Sequence, residues 1–228
     1  MSIDRKKHSA GHRARVRERF LDAPHKLPDY ELLEQHLGYV IRRRDTKLLA
    51  KELLERFGNL AGVLDARKSE LLDVPGIGPA VVTYFLQIRE LAARYLTQEI
   101  HYEKRAVSLD DIGQLARSRL AGCMHEEVWA ALLDNGNRLL IFTKVSTGSV
   151  DNVPLPTREI VQMVLDNHAT GIILVHNHPG GSSRHSSLDL ERTKEVVAAL
   201  TGVRARLLDH LILADGKYYS LTRDHLLA

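Results

Sequence analysis

The spacing of apolar residues divides the chain into two parts with different periods. From Leu27 to Leu96, apolar residues recur at intervals of three and four, which is the period of an amphipathic helix. Gly58 follows one such stretch and fits a helix C-cap, and Pro79 fits the first turn of the next helix. The sequence therefore predicts a small all-α domain in this part of the chain.

The second part alternates between helical and strand patterns. The apolar runs EVWAALLD and RLLIFTKVS flank Asn135-Gly136, and RARLLDHLILADGKYYSL is centred on Asp215-Gly216, so each predicts a β-hairpin. Three helical segments, DDIGQLARSRLAG, LPTREIVQMVLDNHA and SLDLERTKEVVAALTG, accompany the β-branched run GIILVHNH. We expect an α/β domain with a mixed sheet flanked by helices.

These patterns predict four segments along the chain. Residues 97–106, TQEIHYEKRA, have mixed charge and no clear period, which is typical of a linker. We predict a basic, partly disordered tail over residues 1–20, an all-α domain over 21–96, a linker over 97–106 and the α/β domain over 107–228.

The charge of the chain is uneven. The net charge is +3, but the first 100 residues carry +4 and the remaining 128 carry −1. Such a basic half attracts nucleic acid, although a basic terminus is more often a solvated tail. No apolar run is long enough to span a membrane, and the single Cys123 fits a reducing compartment. We therefore expect a cytoplasmic protein.

Residues 176–189, HNHPGGSSRHSSLD, are the strongest candidate for a chemical site. Because strand side chains alternate, His176 and His178 point to the same face at the carboxyl end of an apolar strand, where open α/β sheets usually bind ligands. Asp189 falls in the first turn of the next helix and completes a three-ligand set for zinc. The residues alone leave a second interpretation open, in which Ser186 and Asp189 are only a helix capping box.

The same stretch resembles a known family signature. The pattern H-x-H-P, six residues, then S-x-x-D is similar to the motif of JAMM (MPN+) zinc metallopeptidases, and HNHP together with LLDHLILADGKYYSL resembles the RadC family more narrowly. The resemblance extends from about Leu27 to the C-terminus. Gly180 stands where that family usually has serine, a change that spares the ligands.

The resemblance implies a set of roles for these residues. It implies Zn²⁺ bound by His176, His178 and Asp189, with a bound water that attacks an amide or isopeptide bond. It also implies Glu127, at the start of an earlier strand, as the acceptor of the water's proton, and the Ser186 hydroxyl as a donor to the oxyanion. The next candidate for the proton acceptor is the neighbouring Glu126.

Two further histidines lie near this motif in the sequence. His185 lies in the loop before Ser186, where it could approach the metal. His210 follows Asp209 in an apolar strand, and we expect it to be a buried histidine that is satisfied in the core or supports a ligand histidine.

The stretch VPGIGP at residues 74–79 resembles a helix-hairpin-helix turn. In that motif, backbone N–H groups near Gly76 and Gly78 bind a phosphate of DNA. However, there is no Lys or Arg from Ser69 to Ile88, and the nearest basic cluster is Arg42, Arg43 and Arg44. DNA binding through this turn therefore stays an open alternative.

The sequence leaves three hypotheses of function. The leading one is a RadC-like zinc metallopeptidase with an unknown peptide or isopeptide substrate. The main rival is a repair-associated DNA-binding protein whose metal site is structural or vestigial. A phosphodiesterase is the weakest of the three, because two-metal phosphodiester sites use more carboxylates than this motif supplies.

Overall fold

The computed structural model of the chain forms two compact units, Met1–Ile88 and Arg89–Ala228. The residues that the structure describes are 3–42, 45–103, 105–148, 154–179 and 184–223. The first unit is helical and the second combines helices with a sheet, which confirms the predicted fold class. No helix in the described ranges is both long and apolar enough to cross a bilayer.

The first unit is built from short helices around an apolar core. The helices are α1 (Ile3–Asp22), a 3-10 helix (Pro24–Lys26), α2 (Asp29–Val40), α3 (Lys47–Phe57), α4 (Leu60–Asp65), α5 (Lys68–Leu72) and the first part of α6 (Pro79–Glu103). Leu37, Leu53 and Phe85 are almost fully buried in this core. Gly58 ends α3 with a φ of +84° and Pro79 begins α6, both as predicted.

The basic N-terminal segment is helical, so the prediction of a disordered tail over residues 1–20 is wrong for the described part. Val16 of α1 is only 1% exposed. Arg19 Nη2 lies 2.5 Å from Glu31 Oε2, and His12 Nε2 lies 3.2 Å from Glu34 Oε1. Both carboxylates belong to α2 and are buried, and buried charges need partners. The basic residues of α1 supply those partners.

The predicted linker is also wrong over most of its length, because α6 continues to Glu103. Leu96 and Ile100 lie four residues apart and pack into the core of the second unit. Among the described residues of this region, 105–108 are the ones without regular structure before the next helix. The boundary between the two units therefore falls within α6, after Ile88, rather than at a loop.

The second unit has a five-stranded sheet in the order β2-β1-β3-β4-β5. Its elements are α7 (Leu109–Leu120), β1 (Glu127–Leu133), β2 (Leu139–Thr147), α8 (Thr157–Asp166), β3 (Gly171–Asn177), α9 (Ser187–Gly202), β4 (Arg206–Ala214) and β5 (Lys217–Ser220). Strands β3 and β4 are parallel and the other three pairs are antiparallel. Both predicted hairpins are present, and Asp215 and Gly216 have the positive φ values that a type I′ turn requires.

The two faces of the sheet bury different side chains. On one face, Val128, Ala130, Ile172 and Leu174 form a core with residues of α8 and α9. On the other face, Ala131, Ile173 and Leu211 pack with α7 and with the end of α6, and Trp129 lies against that second core. We call these the α9 face and the α7 face of the sheet. Each strand residue can therefore be assigned to a face by its neighbours.

Candidate metal centre

The carboxyl end of β3 brings the two predicted ligand histidines together. All seven residues of β3 are buried, because the strand lies at the centre of the sheet between β1 and β4. His176 is fully buried and pairs across from Val128, which places its ring on the α9 face. His178 follows the strand, and its Nε2 lies 2.8 Å from the Nε2 of His176.

Asp189 reaches the same place from the first turn of α9. Its Oδ1 is 3.9 Å from His176 Nε2, and its Oδ2 is 3.9 Å from His178 Nε2. The carboxylate is held by the helix cap, because Oδ2 accepts hydrogen bonds from the Ser186 N–H at 2.7 Å and the Ser186 hydroxyl at 2.8 Å. The capping box and the His-His-Asp group are therefore both present, and the cap orients the carboxylate.

The three side chains fit one small metal ion. One donor atom from each of His176, His178 and Asp189 lies within 4.8 Å of the others, and they form the only such group among the described residues. In a tetrahedral zinc site, with bonds of about 2.0–2.1 Å, two ligand atoms lie about 3.3 Å apart. The separations of 2.8 and 3.9 Å bracket that value. Two imidazole nitrogens with one carboxylate oxygen are also donors that zinc accepts.

The electrostatics of the group favour a neutral imidazole at His176 beside an ionised carboxylate at Asp189. Burial lowers the pKa of His176 well below its usual value, and the neighbouring His210 lowers it further. Burial also lowers the pKa of His210, to about 3. For Asp189, burial raises the pKa, but the His176 ring and the hydrogen bonds from Ser186 outweigh burial, so the net shift is downward. Neutral imidazole and ionised carboxylate are the forms that bind metal.

A buried pair of side chains supports His176 from behind. His210 Nε2 lies 2.8 Å from His176 Nδ1, and His210 Nδ1 lies 2.8 Å from the Thr193 hydroxyl. Both His210 and Thr193 are fully buried. The expectation that His210 is a buried histidine in contact with a ligand is confirmed. Thr193 was not predicted, although its position four residues after Asp189 puts both on one side of α9.

The structure places Glu127 away from the ligand group, which corrects the sequence prediction. Its Oε1 lies 2.8 Å from Lys144 Nζ, and its Oε2 accepts a hydrogen bond of 2.9 Å from Trp129 Nε1. Trp129 packs on the α7 face. His176 lies across from Val128, whose side chain is on the α9 face. Because strand side chains alternate, the Glu127 side chain belongs to the α7 face, opposite the face that carries His176.

Glu126 occupies the position that the sequence assigned to Glu127. It is 9% exposed, and its carbonyl accepts a hydrogen bond of 2.8 Å from the Gly148 N–H, which extends the pairing of β1 with β2. Two residues before Val128, it shares the α9 face. Continuing the register of β1 with β3 by two residues puts it across from His178. Strand alternation therefore assigns the Glu126 side chain to the face that carries His176.

Asn177 fixes the backbone on both sides of Glu126. Its Oδ1 accepts a hydrogen bond of 2.8 Å from the Glu127 N–H, and its Nδ2 donates one of 3.0 Å to the carbonyl of His125. The side chain is nearly fully buried. The residue between the two ligand histidines thus positions the segment that carries Glu126, a role that its place in the motif did not reveal.

The remaining predicted residues have simpler surroundings. Ser186 is the N-cap of α9, and its hydroxyl also accepts a hydrogen bond of 3.1 Å from the Asp189 N–H. His185 lies outside the triad of donor atoms, and its Nε2 is buried without a hydrogen-bond partner in the described part of the chain.

The residues proposed for DNA contact all belong to the first unit. Gly76 lies in the turn between α5 and α6 with a φ of +95°, Gly78 directly precedes α6, and Arg42 is exposed. Arg43 and Arg44 lie outside the described residues. The turn has the geometry of a tight helix–helix connection, and the DNA contact stays a prediction.

A comparison with protein families agrees with the geometry of the second unit. The family model described as RadC-like JAB domain matches residues 106–226. The match covers more than half of the chain and includes the whole sheet, the helices around it and the His-His-Asp group.

Proposed function

Since the chain belongs to the family of RadC-like JAB domains, we propose that it is a zinc-dependent hydrolase that cleaves an amide or isopeptide bond. The observation that carries the proposal is the convergence of His176, His178 and Asp189, with Glu126 on the same face of the sheet. A purely structural metal site has no need of a further, largely buried glutamate on the face of the sheet that carries its ligands. This pairing favours the enzyme over a DNA-binding protein with a vestigial site.

Two elements of the second unit would hold the metal. The histidines would bind through Nε2 at the end of a central strand, and Asp189 would bind through its carboxylate at the start of α9. Zinc bound by three protein ligands keeps a fourth position for water, lowers the pKa of that water to about 7 and polarises a carbonyl group. Asp189 lies in the first turn of α9, the helix that connects the parallel strands β3 and β4.

In the proposed mechanism, Glu126 is the general base in place of Glu127. Its carboxylate would take a proton from the attacking water and pass that proton to the leaving amine. Asn177 would hold the Glu126 backbone in position through its bonds to the two flanking residues. Glu127 would instead pair with Lys144 and Trp129 on the α7 face, outside the reaction.

We assign Ser186 to the orientation of Asp189. The sequence resemblance made its hydroxyl a donor to the oxyanion, but here the hydroxyl donates to Asp189 Oδ2. A hydroxyl has one proton, so it serves one acceptor at a time. The contribution of Ser186 to the reaction would then act through the ligand carboxylate.

The decisive experiment compares two adjacent, nearly isosteric substitutions. Glu126→Gln and Glu127→Gln proteins would be loaded with zinc and assayed on a library of peptides and of lysine-linked isopeptides, with zinc content measured on the same preparations. Because a positioned base contributes roughly 10²–10⁴-fold in rate, Glu126→Gln should lose that much activity while it keeps its zinc. Glu127→Gln should cleave like the parent.

Each other outcome has a definite meaning. If Glu127→Gln is inactive and Glu126→Gln is active, the general base is Glu127 rather than Glu126, and the proposal of a hydrolase still stands. If the zinc-loaded parent cleaves no member of the library, the hydrolase proposal fails and a structural metal site is favoured.

A further inference from the structure

A continuous chain of hydrogen bonds runs from the main-chain carbonyl of Asp189 through Thr193 and His210 to the ring of His176. We propose that Thr193 and His210 set the tautomer of His176, so that its Nε2 carries a lone pair directed at the metal. The two are positioning residues, since neither belongs to the His-His-Asp group. The inference rests on the proposed metal site for its purpose, but the tautomer itself is a property of the metal-free protein.

The Thr193 hydroxyl determines which atom donates and which accepts in each of these hydrogen bonds. Its hydroxyl lies 2.5 Å from the main-chain carbonyl oxygen of Asp189, four residues earlier in α9. A carbonyl oxygen only accepts, so the single hydroxyl proton must be donated to it. The same hydroxyl oxygen lies 2.8 Å from His210 Nδ1. With its proton already committed, the hydroxyl can only accept there, and His210 Nδ1 must carry a hydrogen.

The same reasoning gives the donor and the acceptor in the next hydrogen bond, which joins the rings of His210 and His176. His210 is fully buried, so its ring is neutral and has one N–H, which is at Nδ1. Its Nε2 is therefore an acceptor, and the contact of 2.8 Å requires His176 to donate from Nδ1. His176 is also fully buried and neutral, so its Nε2 has no hydrogen. That atom is the one that lies 2.8 Å from His178 Nε2 and 3.9 Å from the Asp189 carboxylate.

The opposite direction would prevent metal binding. If Thr193 donated to His210, then His210 Nε2 would donate to His176 Nδ1, and the hydrogen on His176 would move to Nε2. That hydrogen would occupy the space between the ligand atoms. The close approach of the Thr193 hydroxyl to the Asp189 carbonyl selects the first arrangement. The main-chain carbonyl of Asp189 thereby sets the tautomer of His176.

The chain contains a matched control for Thr193. Thr201, also in α9, makes the same hydrogen bond to the carbonyl four residues earlier, from its Oγ1 to Val197 O at 2.9 Å, but is exposed. Thr193→Val and Thr201→Val each remove one hydroxyl from the same helix with almost no change in volume. Thr193→Ser keeps the hydroxyl and provides a conservative rescue.

The first measurement uses metal-free protein with ¹⁵N-labelled histidine at pH 7. Two-bond ¹H–¹⁵N correlation spectra should show the hydrogen at Nδ1 for both His176 and His210 in the parent, in Thr193→Ser and in Thr201→Val. In Thr193→Val, the hydrogen of His210 should no longer be found only at Nδ1. A parent spectrum with the hydrogen of His176 at Nε2 would overturn the inference, even if no variant folds.

The second measurement is zinc affinity by competition with a chelator. Because partners of metal ligands typically contribute 10–100-fold in affinity, Thr193→Val should bind zinc about that much more weakly than Thr201→Val, and Thr193→Ser should stay close to the parent. Equal affinities of the two valine variants would refute the role of Thr193. A parent that binds no zinc but has the expected tautomers would refute the proposed function and leave the hydrogen-bond direction intact.

Discussion

Val128 and His176 lie directly across from each other on antiparallel strands, with both side chains on the α9 face of the sheet. This pairing is the reason for proposing Glu126 rather than Glu127 as the general base. Glu126, two residues before Val128, shares its face, and Glu127 contacts Lys144 and Trp129 on the other. The choice of the proposed general base therefore depends on which face of the sheet each glutamate side chain occupies.

Removal of two ligands should abolish metal binding without unfolding the protein. The parent should contain about one zinc per chain, because three ligands with one open position define a mononuclear centre. The double variant His178→Ala with Asp189→Ala should contain none, as measured by elemental analysis. His25→Ala, an exposed histidine of the first unit, is the control and should keep its zinc. Full retention of zinc in the double variant would refute the ligand assignment.

Ser186→Ala should weaken zinc binding as well as the end of α9. The substitution removes the cap and the hydrogen bond that orients Asp189, and loss of such a cap costs about 1 kcal/mol. Ser108 caps α7 through an equivalent box with Asp111, so Ser108→Ala should cost similar stability and leave zinc affinity unchanged. Chemical denaturation and chelator competition would separate the two effects. A parental affinity in Ser186→Ala would show that the cap does not position Asp189.

Asn177→Ala should reduce the rate of hydrolysis while zinc stays bound. Loss of its bonds to the His125 carbonyl and the Glu127 N–H frees the backbone on both sides of Glu126. Misplacement of a reacting group by about 1 Å can cost roughly 10²-fold in rate, so we expect a fall in kcat of about that size. Asn59→Ala, which removes the cap of α4 in the first unit, is a control for stability alone. An unchanged kcat in Asn177→Ala would exclude this positioning role.

The ion pair of Arg105 with Asp111 should make stability depend on acid pH. The Arg105 guanidinium lies 2.7 Å from the Asp111 carboxylate and lowers its pKa, although partial burial opposes the shift. Because the folded-state pKa is below the unfolded value of about 3.9, the carboxylate stabilises the fold above that pH and the contribution is lost as pH falls below it. Asp111→Asn should therefore be less stable than the parent at pH 7, and the difference should shrink at pH 3. A constant difference in urea denaturation at both values would contradict this.

If the first unit binds DNA, binding by the full chain should weaken steeply with salt through counterion release. Arg42→Ala should reduce the slope of log affinity against log salt by about 1 if Arg42 contacts a phosphate. Arg158, an exposed arginine of α8 in the second unit, offers the control Arg158→Ala. Ile77 is buried in the first core, so its substitution would test folding rather than contact. Absence of binding at low salt would remove DNA from the possible partners.

Periodicity predicted most of the fold because it reports local burial. The hairpins at Asn135-Gly136 and Asp215-Gly216 and the helices α7, α8 and α9 follow it. It did not predict the helical structure of residues 3–20 and 97–103, where the apolar residues are few and lie among charged ones. Val16 and Ile100 are buried, but their partners lie on other elements that the local pattern does not reveal.

The sequence identified the three residues of the His-His-Asp group more readily than the residues that support them. His176, His178 and Asp189 are close in the chain, and their spacing on a strand and a helix start carries the information. The choice between Glu126 and Glu127 needs the register of β1 against β3, which joins segments about 50 residues apart. The roles of Thr193 and Asn177 likewise depend on partners that only the folded sheet brings near.

The central position of β3 has a consequence for the order in which the site comes apart. A strand that is buried along its whole length and paired on both sides exchanges its amide hydrogens only in the largest unfolding events, whereas helix ends open in local fluctuations. The His176 amide belongs to the first class, and the first turn of α9 to the second. We therefore expect Asp189 to move away from the His-His-Asp group when the end of the helix opens locally, whereas His176 keeps its place until the sheet itself opens.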